Sequence, residues 1–342
     1  MSTIHDVARK ARVSVMTVSR TLNAPAKVSA KTRKTIHRVM DQLGYEPNQI
    51  ARSLVRKKSS TLGIIMPDIK NTFFNSWFRA VEHAARLLHY NLILCNTDEN
   101  PELEISNVRL MLGQRVDGII LIPHSRESAL RIRRSQLPFI LVDRVFDDLA
   151  SDCVSTDHYA GAFAATDYLI GLGHTRIAVL RGPGVLYPDV ERYRGFRDAM
   201  ERKEIPIHSQ HVCNCEFQEA LAFETTTRLL MSHQRPTALF SFNSLMTIGA
   251  IKAIRTLGLS IPDGVSIVTY DEIPGHAVFS PRMTFVQQPI ESLGQEAARI
   301  IIERIEGVRK GEFSRVLLSP ALVVGESCRP CGAKSVYSPV KH

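Results

Sequence analysis

Residues 3–23 read "TIHDVARKARVSVMTVSRTLN". Ile4, Val7, Ala8 and Ala11 recur at i, i+3, i+4 and i+7, one apolar face of a helix, and Thr3 with Asp6 forms a capping-box-like start. A short "RVS" break follows, and Val15, Val18 and Leu22 then line the inner face of a second helix, "SVMTVSRTL". The loop "NAPAKV" leads to Ser29, an N-cap candidate for a third helix that buries Ile36, Val39, Met40 and Leu43 and stops at Gly44. Three short helices, the first two joined by a tight turn, have the layout of a helix-turn-helix module whose second helix enters the DNA major groove. A plain helical bundle with a solvated basic face would share that pattern.

Charge bears on the choice. The chain has 342 residues and a net charge of +9, yet residues 1–60 hold 13 Lys and Arg against the acids Asp6, Asp41 and Glu46. The other 282 residues hold 30 basic and 31 acidic groups. The excess positive charge thus sits on one short segment, as expected where one domain neutralises phosphates. No apolar run approaches the ~20 residues that cross a bilayer, and the first residues lack the apolar stretch of a signal peptide, which predicts a cytoplasmic chain. Six cysteines are few for this length, and only Cys328 and Cys331 form a CxxC, so neither a metal nor a cofactor is expected.

From Thr61 the texture changes. "TLGIIMP", "NLILCNT", "VDGIILIP", "FILVD", "RIAVLRG", "ALFSFN" and "VSIVTYD" are short β-rich runs, separated by amphipathic stretches such as "SWFRAVEHAARLLHY" and "AGAFAATDYLIGLG". Such alternation predicts α/β architecture with parallel sheets, here two of them divided near residue 160. Ligands of open parallel sheets bind beyond the carboxyl ends of the strands. The polar and aromatic residues following the strands are Asn71, Phe73, Phe74, Asp143, Arg144, Asn243 and Asp271, and Arg192, Phe217 and Gln287 come from the segments between. Amides, carboxylates and arginines beside phenylalanines suit a sugar, whose hydroxyls donate and accept while its C–H faces stack on rings. Taken singly, Asp143, Arg144 and Asp271 read as local ion pairs or caps and Phe217 as core. Trp77, Phe78 and Val81 have the spacing of a buried helical face, whereas Phe73 and Phe74 precede that face at the mouth of the cleft.

The first segment, with its continuation "VSAKTRKTIHRVMDQLGYEPNQIARSL" (28–54), closely resembles the headpiece of the LacI/GalR family of bacterial transcription repressors, and the resemblance runs to about residue 328. It implies that Val15, Met16 and Arg20 read base edges and that Thr17, Ser19 and Asn23 hold phosphates, with Thr3 also in the DNA-binding set. Arg20 can contact guanine through two hydrogen bonds, whereas Val15 and Met16 offer apolar contact, for instance to thymine methyls. Many relatives carry a polar residue at one of those two places, so the half-site stays open. "PNQIARSLVRKKSS" (47–60) resembles the family's hinge, a short helix that pairs with its dimer mate in the minor groove, with Leu54 as wedge, Ala51 allowing close approach, and Arg52, Ser53, Arg56, Lys57 and Lys58 near the backbone. A helix of about eight residues is marginal in water and is expected to order on DNA.

The resemblance also implies a periplasmic-binding-protein-like core of two Rossmann-like subdomains crossed three times by the chain, "TFVQQPIESLG" being one crossover. The parts are then a helix-turn-helix headpiece (1–46), hinge and linker (47–60), an N-subdomain (61–160 with about 290–320), a C-subdomain (161–289 with about 321–330) and a tail (331–342). The ten cleft residues, in order, are similar to the ligand set of periplasmic ribose-binding proteins, where rings sandwich the pyranose. Leu186 replaces a polar or basic residue of the purine-binding branch, and Ser244 departs from the commoner Asn-Asp pair. The implied function is a homodimeric, operator-binding repressor induced by ribose or a related pentose. Another sugar, a sugar phosphate or a nucleoside, or a ligand of corepressor sign, fits the same fold. For an enzyme the chain shows no GxSxG, HExxH, Walker A or post-strand GxGxxG, and the arginines near the two cleft carboxylates are expected to depress both pKa values and leave no general acid. The tail lacks leucine heptads, which points to a dimer.

Overall fold

The structure, a computed structural model, describes residues 2–46, 58–146, 148–273, 275 and 280–332. The hinge residues Ala51, Arg52, Ser53, Leu54 and Lys57 lie outside the described residues, as does most of the tail. Contacts divide the chain into two units, one running to Thr61 with the segment 114–117, the other comprising the rest.

In the first unit α1 (Ile4–Ala11), α2 (Val15–Asn23) and α3 (Ala30–Leu43) form the headpiece. Each start is capped by the residue whose side chain can satisfy the open first-turn amides. Thr3 and Asp6 form the reciprocal capping box, Ser14 Oγ accepts from Thr17 N at 3.1 Å, and Ser29 Oγ accepts from Thr32 N at 3.2 Å. Gly44 ends α3 at φ 57°, a left-handed conformation that glycine adopts without strain. Val7, Val18 and Ile36 are fully buried at the centre, with Val39 and Met40 beside them.

The second unit holds two six-stranded sheets among the described residues. The first has the order β11-β5-β4-β3-β1-β2, with β1 (Thr61–Met66), β2 (Asn91–Asn96), β3 (Gly118–Leu121), β4 (Phe139–Val142), β5 (Asp152–Thr156) and β11 (Arg315–Leu318). The second has the order β12-β10-β9-β8-β6-β7, with β6 (Ile177–Arg181), β7 (Val212–Asn214), β8 (Ala238–Ser241), β9 (Ser266–Tyr270), β10 (Thr284–Gln287) and β12 (Ala321–Val323). Central strands such as "GIIL" are buried on both faces, which is why they read as continuous apolar runs rather than alternating ones. The pairings β1–β3, β3–β4, β4–β5, β5–β11, β6–β7, β6–β8, β8–β9 and β9–β10 are parallel, whereas β12 pairs antiparallel with β10. This departs from the all-parallel expectation, because the chain passes from β11 through Ser319 and Pro320 straight into an edge position, with no helix to reverse it.

Among the described residues eight helices cover the sheets: α4 (Thr72–Leu87), α5 (Pro101–Gly113), α6 (Arg126–Arg134), α7 (His158–Gly171), α8 (Tyr187–Arg202), α9 (Glu219–Met231), α10 (Ser244–Thr256) and α11 (Ile290–Ile305). After β10 the chain returns to the first lobe, where α11 lies so close on α4 that a Cβ on Gly294 would stand 2.5 Å from the Ala80 Cβ. The chain crosses between lobes after β5, after β10 and after β11, and the strand ends at these crossings frame the cleft.

Candidate functional site

Beyond the carboxyl ends of both sheets lies a cleft of about 460 Å³, within the roughly 300–1,000 Å³ usual for small-molecule sites. Asn71, Phe73, Phe74, Asp143, Arg144, Arg192, Phe217, Asn243 and Asp271 all line it. Two of these are N-caps: Asn71 Oδ1 accepts from Phe73 N at 3.0 Å and Asn243 Oδ1 accepts from Met246 N at 2.8 Å. With both amide oxygens engaged, the amide Nδ2 groups are the donors these residues offer a ligand. Asp143 and Asp271 immediately follow β4 and β9 at φ 62° and 69°. Left-handed backbone at non-glycine residues costs ~1–3 kcal/mol each and here turns both carboxylates into the cleft.

Phe73 and Phe74 start α4 rather than precede it, and both are buried in the first lobe's core cluster while also facing the cleft. The separation of these rings from the core expected from sequence is therefore incomplete: one ring pair serves both. Their centroids are 5.2 Å apart, edge to face.

Gln287 is a correction. It is exposed and lies outside the cleft, whereas Gln288 is buried, donates from Nε2 to Asp271 Oδ1 at 2.7 Å, and accepts from Thr156 Oγ1 at 2.7 Å. Successive side chains of an extended chain point to opposite faces, so a shift of one residue exchanges an exposed side chain for the buried partner of the cleft carboxylate Asp271.

Charge in the cleft is arranged by partners that the sequence reading missed. Arg144 is gripped at both ends by Glu99, NH1 to Oε2 at 2.7 Å and NH2 to Oε1 at 2.5 Å. Burial alone would raise the Glu99 carboxyl, but Arg144, helped by His124, holds it at about 2. At Asp143 burial also works upward and is outweighed by His158, Arg192 and Arg144, which leave it below the ordinary carboxylate value. Asp271 goes the other way: burial pushes it up to about 6, with Arg192 and Gln288 offsetting only part. The expectation that arginines depress both carboxylates is thus corrected at Asp271, where desolvation wins. Glu99 follows β2 and His158 follows β5, so the strand-end rule reaches both; Glu99 stands three residues beyond β2, and "DCVST" is too polar to signal a strand.

On the headpiece, Met16 is 60% exposed and Arg20 is exposed on α2, while Val15 is half-buried against the headpiece core. Asn23 Nδ2 donates to Ser19 Oγ at 3.4 Å, and Thr17 Oγ1 lies 2.8 Å from Ser14 Oγ. Among the described residues no cluster of His, Cys, Asp and Glu could hold a metal, and no helix is long and apolar enough to cross a membrane.

A capped, basic helix-turn-helix module on one chain with a two-sheet α/β domain around a polar cleft defines a class, the DNA-binding regulators that carry a periplasmic-binding-protein-like domain. Residues 3–48 match the family of bacterial regulatory proteins, lacI family, and residues 59–327 match the periplasmic binding proteins and sugar binding domain of LacI family. The chain is 34% identical over 334 residues to the HTH-type transcriptional regulator DegA of Bacillus subtilis, covering 96% of this chain and 98% of that one. It is 36% identical over 310 residues to the ribose operon repressor of Halalkalibacterium halodurans, covering 90% and 91%. The lac repressor dimer bound to operator and the anti-inducer ONPF is similar in structure, with a TM-score of 0.86 and 26% identity over 96% of this chain and 99% of that one. The chain belongs to the LacI family of DNA-binding transcriptional repressors, and it is not an enzyme.

Proposed function

We propose that this repressor takes a small neutral sugar, ribose or a related pentose, into the cleft, and that the sugar acts as inducer by lowering operator affinity. The observation that carries the reading is the convergence of nine polar and aromatic side chains, predicted for a sugar, on one cleft. Phe73, Phe74 and Phe217 offer apolar surface for C–H faces, while Asp143, Asp271, Asn71 and Asn243 offer acceptors and donors for hydroxyls. Similarity to a ribose operon repressor supports the pentose. The cleft also receives Asp68, Asp98, Glu99, Glu216 and Glu219, against the cations Lys70, Arg144 and Arg192. That acidic excess disfavours a sugar phosphate.

In this reading residues 1–46 hold the operator, 47–60 form the hinge, the lobes are 61–160 with about 290–320 and 161–289 with about 321–330, and 331–342 are a tail. On α2, Arg20 contacts guanine, Met16 and Val15 contact thymine methyls, and Thr17, Ser19 and Asn23 hold phosphates, joined by Thr3 and by the hinge residues Ala51, Arg52, Ser53, Leu54 and Lys57. The protein works as a homodimer on a palindromic operator in the bacterial cytoplasm, at the nucleoid when bound. A coupling of ~1–3 kcal/mol per effector suffices for regulation. A mobility-shift titration with ribose, other pentoses, hexoses, sugar phosphates and nucleosides tests it. Release of operator by a pentose is the expected result; tighter binding makes the ligand a corepressor, and no response to any sugar overturns the sugar reading.

A further inference from the structure

We infer that His158 is a positioning residue of the cleft, a neutral spacer that keeps Asp143 and Arg192 from closing on each other so that both stay available to a bound sugar. This rests on the sugar reading above and adds a residue that does not itself line the cleft.

The geometry is specific. The His158 side chain is fully buried where the chain leaves β5 for α7, with Asp143 arriving from the first lobe and Arg192 from α8 in the second. Arg192 approaches His158 Nδ1 with Nε at 3.4 Å and NH2 at 3.2 Å. Its NH1 donates to the Phe242 carbonyl, and the guanidinium lies 3.7 Å above the Tyr270 ring. A guanidinium can only donate, so Nδ1 must accept, and a neutral imidazole then carries its proton on Nε2. Nε2 faces Asp143 Oδ1 at 3.0 Å, a contact that occupies at most one of that oxygen's two lone pairs. Oδ1 of Asp143, a cleft-lining carboxylate, therefore retains accepting capacity.

Neighbouring arginines show what happens without a spacer. Arg144 is forked by Glu99, and Arg181 is closed on the buried Asp189. Buried opposite charges attract strongly and favour the bidentate pair. Arg192, by contrast, is held by a carbonyl, a ring face and an imidazole, and closes on no carboxylate although its charge acts on Asp143 and Asp271. Burial and the Arg192 charge together hold His158 below its ordinary pKa and so keep the spacer neutral.

The test uses the full-length protein and D-ribose as probe. Nitrogen-15 NMR of the histidine side chains should show His158 as the Nε2–H tautomer, and an Nδ1–H tautomer overturns the proposal. In calorimetry, His158→Phe keeps a ring but loses both polar contacts, and ribose affinity should fall roughly tenfold or more, the scale of a hydrogen bond to a charged group. His158→Asn, whose Oδ1 falls near the place of Nδ1, should recover most of that loss. Ribose affinity equal to the parent's in the Phe variant, or no recovery with Asn, overturns the role, and the NMR result decides if the Phe variant does not fold. A parent chain that binds no ribose fails the sugar reading instead, and the spacer role falls with it.

Discussion

At Gln288 one side chain joins the ends of both lobes, accepting from Thr156 of β5 and donating to Asp271 after β9. Gln288→Leu should therefore lower stability by ~1–3 kcal/mol, the usual loss when buried polar partners are orphaned, and weaken ribose binding. Gln287→Ala, on the exposed neighbour, should stay within ~0.5 kcal/mol. Equal effects in thermal melts would refute the assignment. Asp271 has a folded-state value of about 6 against an ordinary 3.8, so the folded chain holds this proton more tightly than the unfolded one. Below pH ~4 the group is protonated in both states and costs nothing; between pH ~4 and ~6 the unfolded chain releases its proton first, and stability falls by on the order of 3 kcal/mol at most. Asp271→Asn should remove that decline in a melt-versus-pH series. Glu99 has the opposite sign: held at about 2 against 4.5, it adds stability above pH 4.5 that is lost as pH falls toward 2. At Phe74, core and cleft roles coincide, so Phe74→Leu, which keeps much of the volume and loses the ring, is the informative change. It should weaken the sugar response while leaving sugar-free operator binding nearly intact, read by mobility shift.

Among the elements, α4 and α11 meet through a glycine. A Cβ on Gly294 would come within 2.5 Å of the Ala80 Cβ and 2.9 Å of Val81 N, a backbone atom that cannot move aside cheaply. Gly294→Ala should cost ~1–3 kcal/mol, as overpacking does, seen as a lower melting temperature. A variant as stable as the parent would show that the helices slide apart freely. Most elements were legible from periodicity: the headpiece helices through apolar spacing and caps at Thr3 and Ser29, the central strands through unbroken apolar runs. β5 was not, because "DCVST" has too few apolar residues to register, although it is fully buried. The antiparallel β12 was not legible either, since strand direction depends on where the chain re-enters a sheet rather than on composition.

For the whole molecule, the proposed operator-binding and sugar-binding roles fall on different residues. Arg20→Ala should weaken operator binding by ~1–3 kcal/mol and relax one base preference while leaving ribose affinity unchanged, measured by mobility shift and calorimetry on the same preparation. Parallel loss of both would point to a folding defect instead. The sequence by itself determined the basic headpiece, the α/β alternation and seven of the cleft residues, because these are written in local spacing and in the rule that places ligands at strand ends, while Arg192 and Phe217 entered through the family resemblance. Only the tertiary structure decided which glutamine faces Asp271, which acid takes Arg144, and that His158 stands between Asp143 and Arg192. Those choices join residues far apart in the chain, Glu99 to Arg144 across 45 positions and Thr156 to Gln288 across 132. Such partners are chosen by geometry and by the high cost of leaving buried polar groups unpaired, and neither is visible in a short window of sequence.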